Sequence, residues 1–392
     1  MTTTMTVPAW FTEKQEAALK EYEALPMPTR KDETWRFGNL KQLDFDGFAP
    51  EQNSNISYDI PDLPEGVICL PFEQALQQHG EIVKEYFMRS ECRLGSAKFA
   101  ALHKAHVNSG LFVHVPDGVK VDEPIRVHHV IGTEGEIAFP HTLIVTGKNA
   151  EVSVIDHFVS ADEENAAWCI AVNDLIAGEG SKLSYCAIQE LNLSSRMIQI
   201  NATEVGRDAH AVGFTLNTGA QWARNESISL MSGEGAHSDM LSCSIPSGTQ
   251  QYDQRTYQHH AAPHTNSDLL YKNTLYGTSR TIFSGLILVD EGAHYTDAYQ
   301  TCRNLLMEET AEANSMPGLE INADQVKCSH GSTSASISDE EIFYLRARGI
   351  QPRKARRLIA NGFSVEAVER MRNEPLEEAV IEAIDRKFAS IS

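Results

Sequence analysis

The stretch VKCSHGSTSASI, residues 326–337, holds one thiol and one imidazole among mostly small side chains. In a β-strand, residues two apart project from the same face, so Cys328 and His330 would lie side by side. A thiolate and an imidazole on one face suit zinc or the iron of an iron–sulfur centre. Two ligands are only half of a coordination shell, and no C-x-x-C motif supplies the rest. The pattern predicts either a site completed by distant residues or a partner chain, or a buried thiol beside a structural imidazole.

Two histidine-rich stretches are weaker candidates for a metal site. QHHAAPHTNS contains His259, His260 and His264, and VHHV contains His128 and His129. Adjacent residues of a strand point to opposite faces, and a proline interrupts the alternation before His264. We expect neither stretch to gather its histidines around one ion.

The chain that must position these residues changes texture at Gly110, where short strand-like runs begin to alternate with glycine turns. The turns recur at intervals of 27–31 residues, at Gly118, Gly147, Gly178, Gly206 and Gly233. A turn that returns at this spacing and leads into a strand each time predicts the stacked coils of a β-solenoid. A β-sandwich is the alternative, although its turns usually recur at shorter intervals of about 8–12 residues. The regularity weakens after Gly233.

One distant residue is a candidate for completing the site. Cys302 precedes Cys328 by 26 residues, which is close to the interval between turns. In a solenoid, the two cysteines would then lie about one coil apart.

The segment before the β-rich region carries helical patterns. Its first helix is predicted to start at Thr12, with Gln15 in the N3 position of a capping box. Residues 1–108 are therefore predicted to form a helical or mixed cap, and residues 109–337 the β core.

Residues 338–392 return to helical patterns. Ser338 and Glu341 form a capping-box pattern, and Gly349 stands where a helix would end. PRKARRLIANG and SVEAVERMRN predict two short helices, and PLEEAVIEAIDRKF predicts a longer one. The chain would end in a C-terminal helical domain.

Composition excludes several classes of function. The 33 basic and 54 acidic side chains give a net charge of −21, which argues against binding to nucleic acid or to an anionic membrane surface. No apolar run approaches membrane-spanning length. Seven cysteines without tight spacing and an N-terminus without a signal-peptide pattern predict a cytoplasmic protein.

The chain also lacks the G-x-x-x-x-G-K-[ST], G-x-S-x-G and H-E-x-x-H motifs, so we expect no self-contained active site.

The C-terminal helices differ from the remainder in charge. Residues 339–392 hold ten acidic and ten basic side chains, so the whole negative excess belongs to the preceding residues. Six bases crowd the first two predicted helices: Arg346, Arg348, Arg353, Lys354, Arg356 and Arg357. They form either a solvated helical face or a docking surface for a partner with an acidic patch.

Three stretches resemble one protein family. The block from Asp297 to Ile350, the stretch HHAAPHTNSDLLYKNTL and the N-terminal RKDETWRF are similar to the SufB/SufD proteins of the SUF iron–sulfur cluster assembly system. The likeness is to the SufD side of the family, because SufB-type chains are typically longer and carry a histidine–glutamate pair where this chain has CSHG. The resemblance implies a mainly β fold, a right-handed parallel β-helix flanked by N-terminal and C-terminal helical regions.

The same resemblance implies a non-catalytic scaffold subunit. Such a subunit pairs with a SufB homologue through the β-helix, docks the SufC ATPase through its C-terminal helices, and supports iron entry and nascent cluster assembly at the interface. His330 matches the SufD histidine implicated there, and Cys328 is its neighbour. Candidate residues for ATPase docking are Phe343, Leu345, Arg346, Arg348, Arg353 and Arg357.

The resemblance also sets expectations for cofactors and for competing functions. A transient iron–sulfur cluster or iron would be held in the complex, with none bound tightly to the isolated chain. A flavin is linked to the full complex, but no residue here marks a flavin site. One alternative is a SufB-like scaffold that holds a cluster as a homodimer. The other is a β-helix carbohydrate-active enzyme, which the lack of a clear acidic pair disfavours.

Overall fold

The computed structural model describes residues 7–51, 55–132 and 135–391. It is mainly β, with a parallel β-solenoid between N-terminal and C-terminal helices. Along the chain the strands are β1 (Ala49–Pro50), β2 (Asn55–Asp59), β3 (Ile68–Pro71), β4 (Ser109–Val115), β5 (Ile125–Ile131), β6 (Glu136–Ala138), β7 (Pro140–Thr146), β8 (Glu151–Ser160), β9 (Trp168–Ala177), β10 (Lys182–Glu190), β11 (Arg196–Val205), β12 (His210–Asn217), β13 (Trp222–Met231), β14 (His237–Ser244), β15 (Gln251–His260), β16 (Asn266–Leu275), β17 (Arg280–Val289), β18 (Asp297–Leu306), β19 (Glu312–Ile321) and β20 (Lys327–Ser336).

The helices lie on either side of the solenoid in sequence. They are α1 (Ala9–Ala24), α2 (Phe72–Gln78), α3 (Gly80–Tyr86), α4 (Ala97–His106), α5 (Asp339–Arg346), α6 (Pro352–Glu369) and α7 (Glu374–Ser390), with short 3-10 turns at Glu33–Trp35 and Leu40–Gln42. Among the described residues, no helix is both long and apolar enough to cross a membrane.

Two sheets form the walls of the solenoid, and every coil adds one strand to each sheet. The first sheet runs β3-β4-β7-β9-β11-β13-β15-β17-β19, and the second runs β2-β5-β8-β10-β12-β14-β16-β18-β20. Neighbours are parallel, except for the antiparallel pairs β2–β5 and β3–β4. Lys182 pairs with His210 and His210 with His237, so these coils are 28 and 27 residues long. The predicted solenoid is confirmed.

The stacked turns explain why the glycine pattern weakens after Gly233. From β8 onward, the residue two positions before each strand of the second sheet has φ between 52° and 75°: Asn149, Gly180, Asp208, Gly235, His264, Tyr295 and Gln325. Gly118, two positions before the isolated bridge at Lys120, has φ 72°. The turns hydrogen-bond to one another, as where the Asn149 N–H donates to the Glu179 carbonyl at 2.8 Å. The repeat therefore continues to the last coil, with other residues accepting the left-handed conformation that glycine adopts most readily.

Four turns hold a glycine where the backbone of the preceding turn approaches closely, at Gly147, Gly178, Gly206 and Gly233. A Cβ on Gly178 would lie 2.4 Å from the Thr146 carbonyl oxygen, and one on Gly233 would lie 2.0 Å from the Arg207 nitrogen. Together with Gly118, these are the glycines whose recurrence the sequence displays. They mark the side of the solenoid where consecutive turns touch.

A buried ionic network fixes the N-terminal cap on the outer face of the first sheet. Arg224 donates to Glu226 at 2.7 Å and to Asp253 at 2.5 Å, and all three side chains are buried. The same guanidinium donates to the backbone carbonyls of Thr34 and Leu94. This network places the RKDETWRF segment against the sheet, since the buried charges satisfy its carbonyl groups.

The first helix begins earlier than predicted. It starts at Ala9, after Pro8 in the N-cap position, and no side chain caps it. The predicted cap at Thr12 is wrong, because Thr12 lies within the first turn. Phe11, one residue earlier, is buried against other aromatic rings of the cap, and this packing favours the longer helix.

The C-terminal helices confirm one prediction and correct another. Ser338 and Glu341 form the predicted capping box at the start of α5, and Gly349 has φ +81°. The two short helices predicted next are one continuous helix, α6. Gly362 lies in its interior and costs about 1 kcal/mol of helix propensity, and the packing of Ala360, Ala367 and Val368 on the second sheet favours the continuous helix. Helices α6 and α7 cover the outer face of the second sheet.

Candidate functional site at the open end of the solenoid

The last coil consists of the strands β19 and β20, which are the terminal strands of the two sheets. In the described ranges, no strand pairs with the outer edge of either. Most of β20, in the second sheet, is exposed to solvent. The preceding coil is better covered, since its first-sheet strand, β17, is largely buried. The solenoid therefore ends in two ten-residue edges whose backbone groups are free for pairing.

Strand register shows the direction in which Cys328 and His330 point. Cys328 pairs with Ala298 and His330 with Gln300, and both partners are buried in the interior of the solenoid. In a parallel in-register sheet, paired residues project to the same side. Cys328 and His330 therefore share one face, as predicted, and this face is the interior one. Two positions along a strand separate their Cα atoms by about 7 Å.

Cys328 behaves as a partly buried neutral thiol in the isolated chain. It packs against a small apolar cluster that includes Ile287, Val289 and Ala298. Burial, together with the nearby carboxylate of Asp297, raises the pKa of the Cys328 thiol above its usual value. A thiolate is the metal-binding form, so Cys328 needs an added positive charge, such as a metal ion, to act as a ligand.

His330 is exposed at the mouth of the solenoid interior. Directly below it in the preceding coil lies Gln300, which is buried and whose amide nitrogen donates to the Gly285 carbonyl at 3.4 Å. The Gln300 side-chain oxygen has no hydrogen-bond partner within the described residues. The interior surface below His330 is thus polar and incompletely satisfied, which suits a site finished by another molecule.

Cys302 does not join this pair. It lies on the neighbouring strand β18, but it pairs with Ser332 rather than with Cys328. The offset of four residues is about 13 Å along the strand. Cys302 is fully buried, its sulfur is 3.8 Å from the Asn304 amide oxygen, and burial raises its pKa to about 12. It is a structural thiol, and the predicted third-ligand role is wrong.

The three imidazoles of QHHAAPHTNS have separate surroundings. His259 points outward to Asp290 at 2.7 Å, whereas His260 is buried and contacts Thr265 and Ser267. His264 occupies a turn, where its ring stacks on that of Tyr295 with centroids 4.8 Å apart.

The other VHHV stretch has its histidines on opposite faces of β5. His129 is buried and lies 3.3 Å from Asp156, whereas His128 is only partly buried and faces the ring of His157. Each imidazole thus has a separate structural contact.

Exposed hydrophobic side chains near the open end were not anticipated from sequence. Tyr295, Tyr299 and Ile321 are 55%, 43% and 41% exposed, and they lie in the turn before β18, in β18 and at the end of β19. An aromatic or aliphatic residue left in water near an unpaired edge is typical of an interaction surface. Only the coil register, which the local sequence does not specify, brings them to this end.

The predicted docking residues occupy the exposed side of the C-terminal helices. Helix α5 has no buried residue, and Phe343 is 71% exposed. Leu345 is partly buried on the same helix, and the Arg348 guanidinium lies 3.5 Å from the ring centre of Tyr344. Arg346 is exposed at the end of α5.

The two remaining docking candidates lie on α6. Arg353 and Arg357 line a groove together with Leu358 of the same helix and Phe388 of α7. The exposure of Leu358, 46%, leaves an apolar contact at the edge of this basic groove. The structure thus places the basic residues of the two helices near exposed apolar side chains, and their role stays a prediction.

Comparison with known proteins places this architecture in one family. The model of the SUF system FeS cluster assembly SufBD core domain matches residues 129–363, and the SufBD protein N-terminal region matches residues 45–127. The iron–sulfur cluster assembly protein SufD of Escherichia coli is 28% identical over 92% of this chain and 89% of its own length. SufD of Bacillus subtilis is 25% identical over 97% of this chain and 94% of its own length. The chloroplastic protein ABCI7 of Arabidopsis thaliana is 24% identical over 90% of this chain and 81% of its own length. This chain belongs to the SufBD family of iron–sulfur cluster assembly proteins.

Proposed function

We propose that this protein is a non-catalytic scaffold subunit of an iron–sulfur cluster assembly complex. The observation that carries the proposal is the open end of the solenoid, where no strand among the described residues covers the outer edges of β19 and β20, and where β20 carries Cys328 and His330. Family membership supports the reaction context, and the missing nucleotide-binding motifs leave the energy input to another subunit. The iron or cluster is the cargo of the complex.

The open end fits a partner that continues the solenoid. Strand addition satisfies backbone groups along β19 and β20 and holds two chains in a fixed register. The partner we propose is a SufB homologue, whose terminal coil would face this one. Cys328 and His330 would then lie inside the joint between the chains, shielded from water.

The chemistry of the pair supports a shared site. One thiol and one imidazole supply two ligands, whereas iron in a thiolate or imidazole environment takes about four. The missing ligands would come from the partner, which makes cluster assembly conditional on pairing. The raised pKa of the Cys328 thiol, which burial and the Asp297 carboxylate cause, is consistent with this requirement for a partner.

The C-terminal helices support a second proposed contact, with the SufC ATPase. Phe343 and Leu358 are large apolar side chains in water, and arginines flank both of them. An apolar anchor ringed by arginine is typical of a protein-binding surface. Docking here would leave the open end accessible to the SufB homologue, since α6 and α7 lie on the outer face of the second sheet.

Co-expression with the SufB and SufC homologues of the same organism tests the proposal. Ser332→Arg would place a charge on the interior face of β20, in the joint, and we expect it to abolish co-purification with SufB. The control Thr333→Arg lies on the next position, which faces outward beside Arg303, and should retain the complex. A wild-type chain that stays alone, or a Ser332→Arg chain that still pairs, would refute the proposed joint.

A homodimer is the second candidate, and it rests on the same two side chains of β20 at the open end. Two copies joined through their open ends would bring together two Cys328 and two His330 side chains, which equals four ligands. Light scattering of the isolated protein with and without iron and sulfide, under anaerobic conditions, distinguishes the homodimeric scaffold from a subunit that pairs with a SufB homologue. A cluster-bearing dimer would support the homodimeric scaffold, and a monomer without cluster would support pairing with SufB.

A further inference from the structure

A cluster of metal-ligating side chains lies away from the open end, on the outer face of the second sheet. His210 begins β12 and His237 begins β14, and the two residues are directly paired in the sheet. Asp239 lies two positions after His237 and therefore on the same face. The 27-residue separation of the histidines equals one coil, so no local motif reveals the group.

The three side chains converge on a small volume. The Nε2 atom of His210 lies 2.8 Å from one Asp239 oxygen, and the Nε2 atom of His237 lies 3.2 Å from the other. The two imidazole rings have centroids 4.3 Å apart. All ligand atoms lie within 4.8 Å of one another.

These distances match the edges of a coordination polyhedron. With metal–nitrogen and metal–oxygen bonds of about 2.0–2.2 Å, neighbouring ligand atoms are about 2.8–3.1 Å apart around an octahedral ion and about 3.3–3.6 Å apart around a tetrahedral one. The two observed nitrogen–oxygen distances, 2.8 and 3.2 Å, are close to the octahedral values. An ion to one side of the nitrogen–oxygen lines, with each ring deprotonated at Nε2, could therefore contact all three side chains after small side-chain rotations and without a rearrangement of the strands.

The surroundings leave room for an ion and for water. The His210 and His237 side chains are 36% and 42% exposed, whereas Asp239 is only 19% exposed. Asp268, the residue paired with Asp239 in the next coil, is held by an ion pair with Arg370. Arg372, from the same loop after α6, lies near His237 and opposes a cation there.

We propose that His210, His237 and Asp239 bind one divalent transition metal ion of the zinc and iron(II) class. Two imidazoles and one carboxylate suit these borderline ions better than calcium or magnesium, which prefer oxygen ligands, or copper(I), which prefers sulfur. Strand β14 is three coils from β20, a distance of about 14 Å along the solenoid. The site is therefore separate from Cys328 and His330, and it does not depend on the scaffold role proposed above.

Zinc binding to the full chain, freed of metal with a chelator, tests this site. The background is Cys328→Ser/His330→Ala, so that the open end contributes no ligand. We expect one Zn²⁺ per chain by calorimetry and a rise in Tm with added Zn²⁺. His210→Gln and His237→Gln should each weaken binding at least tenfold.

The matched control is His264→Gln, which removes an imidazole from a turn of the same solenoid outside the cluster. It should bind Zn²⁺ like the background protein. Circular dichroism and urea unfolding check that each variant is folded. The proposal is overturned if the background protein binds no Zn²⁺, or if His210→Gln and His237→Gln bind as tightly as the control. Either result would leave the cluster as a hydrogen-bonded structural contact only.

Discussion

The two ends of the solenoid differ in how their strand edges are treated. At the first end, β2 and β3 pair antiparallel with β5 and β4, and helices α2–α4 pack beside them. At the last end, β19 and β20 lie bare in the described part of the chain. Natural sheets normally cover or blunt such edges, because bare edges pair with other chains.

The interior lining changes along the same axis. One interior row of the second sheet begins with Ile125, Val154 and Tyr185 and ends with Gln300 and His330. The first end is therefore closed by a cap, whereas this row reaches the last end as polar side chains. The contrast suggests that the capped end serves stability, and we propose that the open end serves pairing with another chain.

The largest expected effect concerns the buried network on β13 that holds the N-terminal cap on the first sheet. Arg224→Met removes the guanidinium from between Glu226 and Asp253, which are both buried. An uncompensated buried charge costs about 3–5 kcal/mol, so the midpoint of urea unfolding should fall sharply. The control Arg207→Met breaks an exposed ion pair with Glu234 and should change stability by less than about 1 kcal/mol. Similar losses for both variants would contradict the assignment of stability to this network.

A smaller effect is expected at the contact that anchors α7 to the solenoid. Burial alone would raise the pKa of the Glu190 carboxyl group. Hydrogen bonds from His157 and from Arg386 of α7 outweigh burial and lower that pKa to about 2. A carboxyl group whose pKa is lower in the folded than in the unfolded state stabilises the fold above its unfolded pKa. This contribution, on the order of 1–3 kcal/mol, is lost as the pH falls from about 4.5 to 2.

Unfolding measured across that pH range tests the Glu190 contact. Glu190→Gln should flatten the acid dependence of the free energy of unfolding, whereas the exposed control Glu163→Gln should leave it unchanged. Equal acid dependence in wild type and Glu190→Gln would show that other groups hold α7.

The smallest effect compares two thiols one coil apart. Cys328 is partly exposed with a raised pKa, whereas Cys302 is buried with a pKa of about 12. We expect N-ethylmaleimide to modify Cys328 slowly at pH 7 and faster as the pH approaches 9, because the thiolate is the nucleophile. Cys302 should react only on unfolding. Mass spectrometry of the labelled peptides measures both rates, and equal rates would contradict the open end described here.

Local patterns account for the features that were predictable from sequence. Alternation along a strand placed Cys328 and His330 on one face, and the recurring glycines that allow turns to touch indicated the solenoid. The capping box of Ser338 and Glu341 is a local hydrogen-bond pattern and was predicted correctly. The parts that depend on neighbouring residues alone were therefore accessible.

Features that depend on register between distant strands were not predictable. Cys302 lies one coil before Cys328, as expected, but this coil is longer than the 26 residues that separate them, so Cys302 pairs with Ser332. The grouping of His210 with His237 requires the length of that particular coil. The continuity of α6 through Gly362 comes from packing on the second sheet, which helix propensity does not include.

The central claim is that the open end supplies half of an interfacial iron or cluster site. Its most direct test is the iron and sulfide content of the anaerobically purified three-subunit complex with His330→Ala, beside the control His294→Ala in an exposed turn. The variant should fold with a stability change within about 0.5 kcal/mol and should still form the complex. We expect its iron content to fall to about a tenth of the wild-type value or less. A His330→Ala complex with wild-type iron and cluster absorbance would contradict the account.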